Sequence, residues 1–127
     1  MKKYLVIGNP IEHSLSPLLH NHWLKKNNIK AVYNKEKLNI NDLGNFILRI
    51  KNKEINGANI TVPFKKEVIS YLDKLSPEAQ NTQSVNTIHL EGNKIMGHNT
   101  DINGFKDSVE SSKYNLIEKK IFILGAG

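Results

Sequence analysis

Lys65 and Asp101 are the two side chains in this sequence best placed to move a proton. A lysine and an aspartate that touch one substrate oxygen can hold and relay a hydroxyl proton. Such a proton accompanies hydride transfer to or from an alcohol, and the hydride itself needs a cofactor. Around this pair the sequence offers hydroxyls and amides: Ser14, Ser16, Asn59, Thr61, Asn86, Asn99 and Thr100. A lining of that kind suits a small polyol or a sugar-like acid. The acid's carboxylate could rest where a helix starts at Ser16, because free N–H groups and the helix dipole favour an anion. Each residue also has a plainer use. Ser16 could be only a helix cap, and Asp101 is favourable in a first helical turn through the dipole alone. Lys65 and Lys66 could be a solvated pair, and Asn86 and Asn99 could be turn residues. Spacing alone leaves both uses open.

The elements that would position these groups alternate along the chain. "KYLVIG" (3–8) is an apolar run ending in glycine, which suits a central strand. Ser16 followed by Pro17 predicts a helix start with a hydroxyl N-cap. "AVYNKEKL" predicts a second strand. Asn41-Asp42 opens a helix whose Leu43, Phe46, Ile47 and Ile50 are spaced i, i+3, i+4, i+7. "INGANITV" predicts a third strand, ended by Pro63, and a short helix follows with Val68, Ile69 and Leu72. "SPEAQNT" predicts a helix capped by Ser76. "SVNTIHLEGNKIMGHNT" predicts a hairpin around Glu91-Gly92-Asn93. Thr100 is expected to cap a helix through Ile102, Phe105 and Val109, and "KKIFILGAG" to form a last strand and a glycine turn. This order implies an α/β fold with a mostly parallel mixed sheet and helices on both faces. Ligands of such sheets bind at the carboxyl ends of strands, where the candidate residues fall.

Composition narrows the function classes. A chain of 127 residues suffices for one domain with its own core. It has no cysteine, which excludes disulfides, thiolate catalysis and cysteine-based zinc sites. The five histidines form no H-E-x-x-H pattern, and no metal site is expected. No apolar run approaches the roughly 18–20 residues of a membrane span, so a cytoplasmic chain is expected. The net charge of +6 invites a nucleic-acid partner. However, 17 of the 18 basic residues are lysines scattered through every segment, and base recognition favours arginine. No nucleic-acid partner is expected.

Four stretches, "VIGNPIEHSLSP", "GANITVPFKKEV", "SVNT" and "GHNTDINGF", together resemble the N-terminal, substrate-binding domain of the shikimate dehydrogenase family. They cover nearly the whole chain, in family order and spacing. Terminal "ILGAG" resembles the start of that family's G-A-G-G-A loop. The resemblance implies NADPH-dependent, reversible reduction of 3-dehydroshikimate to shikimate, on the chorismate route to aromatic amino acids. It implies that Ser14 and Ser16 hold the substrate carboxylate and that Thr61, Asn86 and Asp101 hold ring hydroxyls. Lys65 would be the catalytic acid/base, with Asp101 beside it and Lys66 a solvated neighbour. Gly125, Ala126 and Gly127 would begin the NADP pyrophosphate loop. Residues 1–113 would be the substrate domain and 114–127 the start of a dinucleotide-binding domain. By that resemblance the chain is a front half, not expected to turn over alone, from a monomer or homodimer. Alternatives are a quinate/shikimate dehydrogenase and a stand-alone, non-catalytic substrate-binding domain. The family often reads "GDNTDG" where this sequence has His98 for the first acid and Ile102 for glycine.

Overall fold

The computed structural model describes residues 1–125. Its apolar runs pair into a six-stranded sheet in the order β2-β1-β3-β5-β6-β4. The strands are β1 (Lys2–Gly8), β2 (Ala31–Lys37), β3 (Gly57–Ile60), β4 (Lys74–Leu75), β5 (Thr87–Glu91) and β6 (Lys94–His98). β1 is parallel to both β2 and β3. β5 is antiparallel to β3 and to β6, and β4 is parallel to β6. Only β5 therefore runs against the rest, which gives the mostly parallel mixed sheet expected from the sequence.

Alternation along β1 assigns the two faces. Leu5 and Ile7 enter the main core with Leu43, Phe46, Ile47 and Ile50. Those four are the buried stripe of α2 (Leu43–Lys51), at the spacing the sequence carries. Short helices α3 (Phe64–Glu67) and α4 (Pro77–Thr82) add Phe64 and Ala79 to the same core. On the other face Val6, Ile11 and Tyr33 form a smaller cluster, with Leu24 of α1 (Ser16–Lys26) packed against it. Arg49 of α2 reaches Glu36 of β2 with two bonds, Nη1 to Oε1 at 2.6 Å and Nη2 to Oε2 at 3.1 Å. This bidentate pair fixes α2 against the edge strand.

Several local expectations shift by a residue or more. Helix α1 has Leu15 at its N-cap position, and Ser16 is already helical. The hydroxyl that serves this end is Ser14 Oγ, which accepts from the Ser16 N–H at 3.3 Å. Helix α5 (Asp101–Ser111) is capped by Asn99 rather than by the Thr100 hydroxyl. Asn99 Oδ1 accepts from the N–H groups of Asp101 and Ile102. Ser76 caps α4 as expected, its hydroxyl accepting from the Ala79 N–H at 3.2 Å. The two-residue β4 was not expected. Among the described residues the last strand does not form: residues 121–125 lie outside the sheet, and Leu124 is 97% exposed. A strand needs a neighbour to complete its ladder, and the sheet, edged by β2 and β4, holds none beside this segment.

Candidate active site

Strand direction gathers the candidate residues on one edge of the sheet. β1, β3 and β6 run together, so Gly8, Ile60 and His98 end at the same edge. β5 runs the other way, and its beginning, Asn86 and Thr87, therefore arrives there too. Ser14 and Ser16 follow β1, Thr61 and Lys65 follow β3, and Asn99, Thr100 and Asp101 follow β6.

The structure sorts them into two adjoining groups. Ser14, Ser16 and Thr61 line a cavity of about 310 Å³ with Val6, Ile11 and His13. The β1 turn that shapes it tolerates no side chain at Gly8. A Cβ there would lie 2.6 Å from Thr61 Cγ2 and 3.1 Å from the Val62 carbonyl oxygen. The loop is pinned to β2 by Glu12, whose carboxylate accepts from the Ile11 N–H and from Lys37 Nζ. Bonds from the backbone N–H groups of Glu12 and Ile11, and then the Lys37 ammonium, hold the Glu12 carboxyl down at about 2.

The second group centres on Asp101, the first residue of α5. Lys65 Nζ donates to its Oδ2 at 2.7 Å. Asn86 Nδ2 donates to its Oδ1 at 2.9 Å and to Thr100 Oγ1 at 2.8 Å. Lys65 and Asp101 are 33% and 56% exposed, so one side of the pair stays open to a ligand. Backbone bonds knit this group to the first. The Val85 N–H donates to the Lys65 carbonyl at 2.8 Å, and the Phe64 N–H donates to the Thr61 carbonyl at 2.9 Å. Lys65, Asn86 and Asp101 do not line the serine cavity. They stand at its side, joined through the turn from Thr61 to Lys65.

Sequence reasoning placed Asn86 and Asp101 at the site but gave no role to Thr87 or Tyr33. Thr87 Oγ1 donates to Asn86 Oδ1 at 3.1 Å and accepts from Asn59 Nδ2 at 3.1 Å. Tyr33 Oη donates to Asn59 Oδ1 at 2.6 Å. Thr87 lies within the "SVNT" motif, which could have flagged it. Nothing in "AVYNKEK" marks Tyr33 as more than a strand aromatic. His98 stacks on His89, ring centroids 5.1 Å apart, and leaves the Asp101 carboxylate to Lys65 and Asn86.

Of the three residues expected to begin a pyrophosphate loop, Gly125 has φ +92°, a backbone that favours glycine. Ala126 and Gly127 lie outside the described residues. Among the described residues one glycine makes no dinucleotide cradle. Among the described residues no group of three or more His, Asp or Glu could hold a metal ion. No helix is long and apolar enough to cross a membrane.

What the site can do is hold and polarise an oxygen-rich small molecule. Lys65 has two ammonium protons beyond the one given to Asp101. The hydroxyls of Ser14, Ser16 and Thr61 complete a polar wall nearby.

Known proteins carry the same arrangement of sequence and fold. The family described as shikimate dehydrogenase substrate binding domain matches residues 6–88. Shikimate dehydrogenase (NADP(+)) of Pelagibacter ubique is 56% identical over 126 residues, covering 99% of this chain and 48% of the relative. The Pyrococcus furiosus enzyme of the same name is 44% identical over 128 residues, covering 99% and 46%. The chain thus spans about half the length of the curated relatives it matches. Shikimate 5-dehydrogenase of Thermus thermophilus, solved with NADP(H) and shikimate, superposes with a TM-score of 0.84 at 30% identity, over 91% of this chain and 44% of that one. The chain belongs to the shikimate dehydrogenase substrate-binding domain family.

Proposed function

We propose that this chain is the substrate-binding half of an NADP-dependent shikimate dehydrogenase, an oxidoreductase that interconverts 3-dehydroshikimate and shikimate. The observation that carries this is the Lys65–Asp101 pair, 2.7 Å apart, with Asn86 on the other carboxylate oxygen and a serine-lined cavity at its side. Ser14 and Ser16 bind the substrate carboxylate. Thr61, Asn86 and Asp101 bind ring hydroxyls. Lys65 holds the proton that the carbonyl oxygen gains on reduction and the hydroxyl loses on oxidation. Asp101 orients the Lys65 ammonium and accepts from the same hydroxyl. Hydride is what NADPH supplies to such a reduction when bound. The boundary between substrate and dinucleotide domains falls at residues 113/114, just past the end of α5 at Ser111. The partners are small molecules, the enzyme is a monomer or homodimer, and it works in the cytoplasm, on the chorismate route to aromatic amino acids.

The test is a fusion of residues 1–127 to the remaining half of the Pelagibacter ubique relative. NADPH oxidation is followed with 3-dehydroshikimate, and the reverse reaction with shikimate and quinate. Turnover that prefers shikimate and collapses in Lys65→Ala supports the proposal. A folded fusion that ignores 3-dehydroshikimate sinks it, and equal turnover of quinate reassigns the substrate.

A further inference from the structure

The geometry points to Tyr33 as a positioning residue that fixes Asn86 against Asp101 through a half-buried relay of Asn59 and Thr87. The inference rests on the functional reading above for its consequence, and on hydrogen-bond chemistry for its existence.

Tyr33 is held from three directions. Its backbone N–H donates to Asn21 Oδ1 at 2.9 Å and its carbonyl accepts from Asn21 Nδ2 at 2.7 Å, so an α1 amide completes the open edge of β2. The His20 ring stacks on its ring at 4.2 Å between centroids and 14° between planes. Its hydroxyl reaches across β1 to Asn59 on β3. The residue is 4% exposed, and burial pushes the phenol up to about 12, which keeps the proton it must donate.

From there the direction of each bond follows. Asn59 Oδ1 accepts from Tyr33, so Asn59 Nδ2 faces the Asn86 carbonyl at 3.3 Å and Thr87 Oγ1 at 3.1 Å. The Asn86 carbonyl can only accept, so the atom facing it is the amide nitrogen, and Thr87 Oγ1 beside that nitrogen must accept as well. Thr87 has accepted, so its single proton goes to Asn86 Oδ1. That oxygen also accepts from the Thr100 N–H at 3.0 Å. Asn86 Nδ2 is left to serve Asp101 and Thr100. Donation runs one way, from Tyr33 to the carboxylate beside Lys65. Without the phenol, Asn59 Oδ1 loses its donor and the half-buried amide is free to swing toward solvent. Thr87 then loses the partner that aims its proton.

The experiment compares wild type, Tyr33→Phe, Thr87→Val and Thr87→Ser by ¹H–¹⁵N NMR of the side-chain amides, with shikimate affinity measured in parallel. We expect Tyr33→Phe and Thr87→Val both to shift the Asn86 side-chain amide resonances and speed their solvent exchange. Shikimate affinity should fall about three- to tenfold, the scale of one hydrogen bond. Thr87→Ser, which keeps the hydroxyl, should restore both. Phenylalanine keeps the packed ring, so a purely structural Tyr33 leaves the Asn86 resonances at their wild-type positions, and that result overturns the relay. If Tyr33→Phe does not fold, Thr87→Val decides by the same resonances. A wild-type chain that ignores shikimate counts against the functional reading, while the Asn86 resonances still judge the relay.

Discussion

An ammonium and a carboxylate 2.7 Å apart and open to water on one side add little to stability. Lys65 is therefore removable without unfolding the domain. Lys65→Ala is expected to change unfolding free energy by less than about 1 kcal/mol in a urea melt. In the fused enzyme the same change is expected to lower kcat by about 10²–10⁴, the usual weight of a general acid/base. Asn86 behaves oppositely because it is buried and serves both Thr100 and Thr87. Asn86→Ala leaves those donors unmatched and should cost about 1–3 kcal/mol in the same melt. Tyr33 adds a pH dependence. Its folded-state pKa is raised from 10.0 to about 12 by burial, so the native state holds its proton more tightly than the unfolded chain. That contribution is fully present below pH 10 and is lost as pH rises toward 12. Urea melts across this window, paired with tyrosinate absorbance, should show it, and Tyr33→Phe should flatten the slope.

At the level of elements, the sequence marks what local chemistry decides. The α2 stripe Leu43, Phe46, Ile47 and Ile50 is buried as its spacing requires, and Ser76 caps α4. The hairpin turns at Gly92-Asn93, with Gly92 at φ +61°. Caps one or two residues off are a different matter. Ser14 and Asn99 serve the helix ends assigned by pattern to Ser16 and Thr100, because a side chain just outside a helix can reach the same N–H groups. β4 was illegible because a two-residue strand has no period, and only its neighbour β6 defines it. The Tyr33–Asn59 bond spans 26 positions and three strands, so no local pattern announces it. The Lys65–Asp101 pairing spans 36 positions. Strand-end reasoning and the family motifs brought it into view, yet the direct bond depends on how α3 and α5 meet. The same level carries a test of cavity shape. Gly8→Ala drives a methyl into Thr61 and the Val62 carbonyl, and overpacking of this kind costs about 1–3 kcal/mol. We expect a lowered melting temperature together with weakened shikimate binding. A neutral Gly8→Ala would mean that β1 and the Thr61 turn move apart freely.

Taken whole, the molecule is a sheet whose composition points at no site and whose strand order gathers the candidate residues at one edge. A net charge of +6 spread over scattered lysines points at no partner. Reversing only β5 brings a strand start among strand ends, and so sets Asn86 beside Asp101. The measurement that bears most directly on a substrate-binding domain is a ¹H–¹⁵N titration of this 127-residue chain with shikimate. A folded substrate domain should give a dispersed spectrum whose shifts concentrate at Ser14, Ser16, Thr61, Lys65, Asn86 and Asp101. A dispersed spectrum that stays still at millimolar shikimate, or moves elsewhere on the surface, would contradict it.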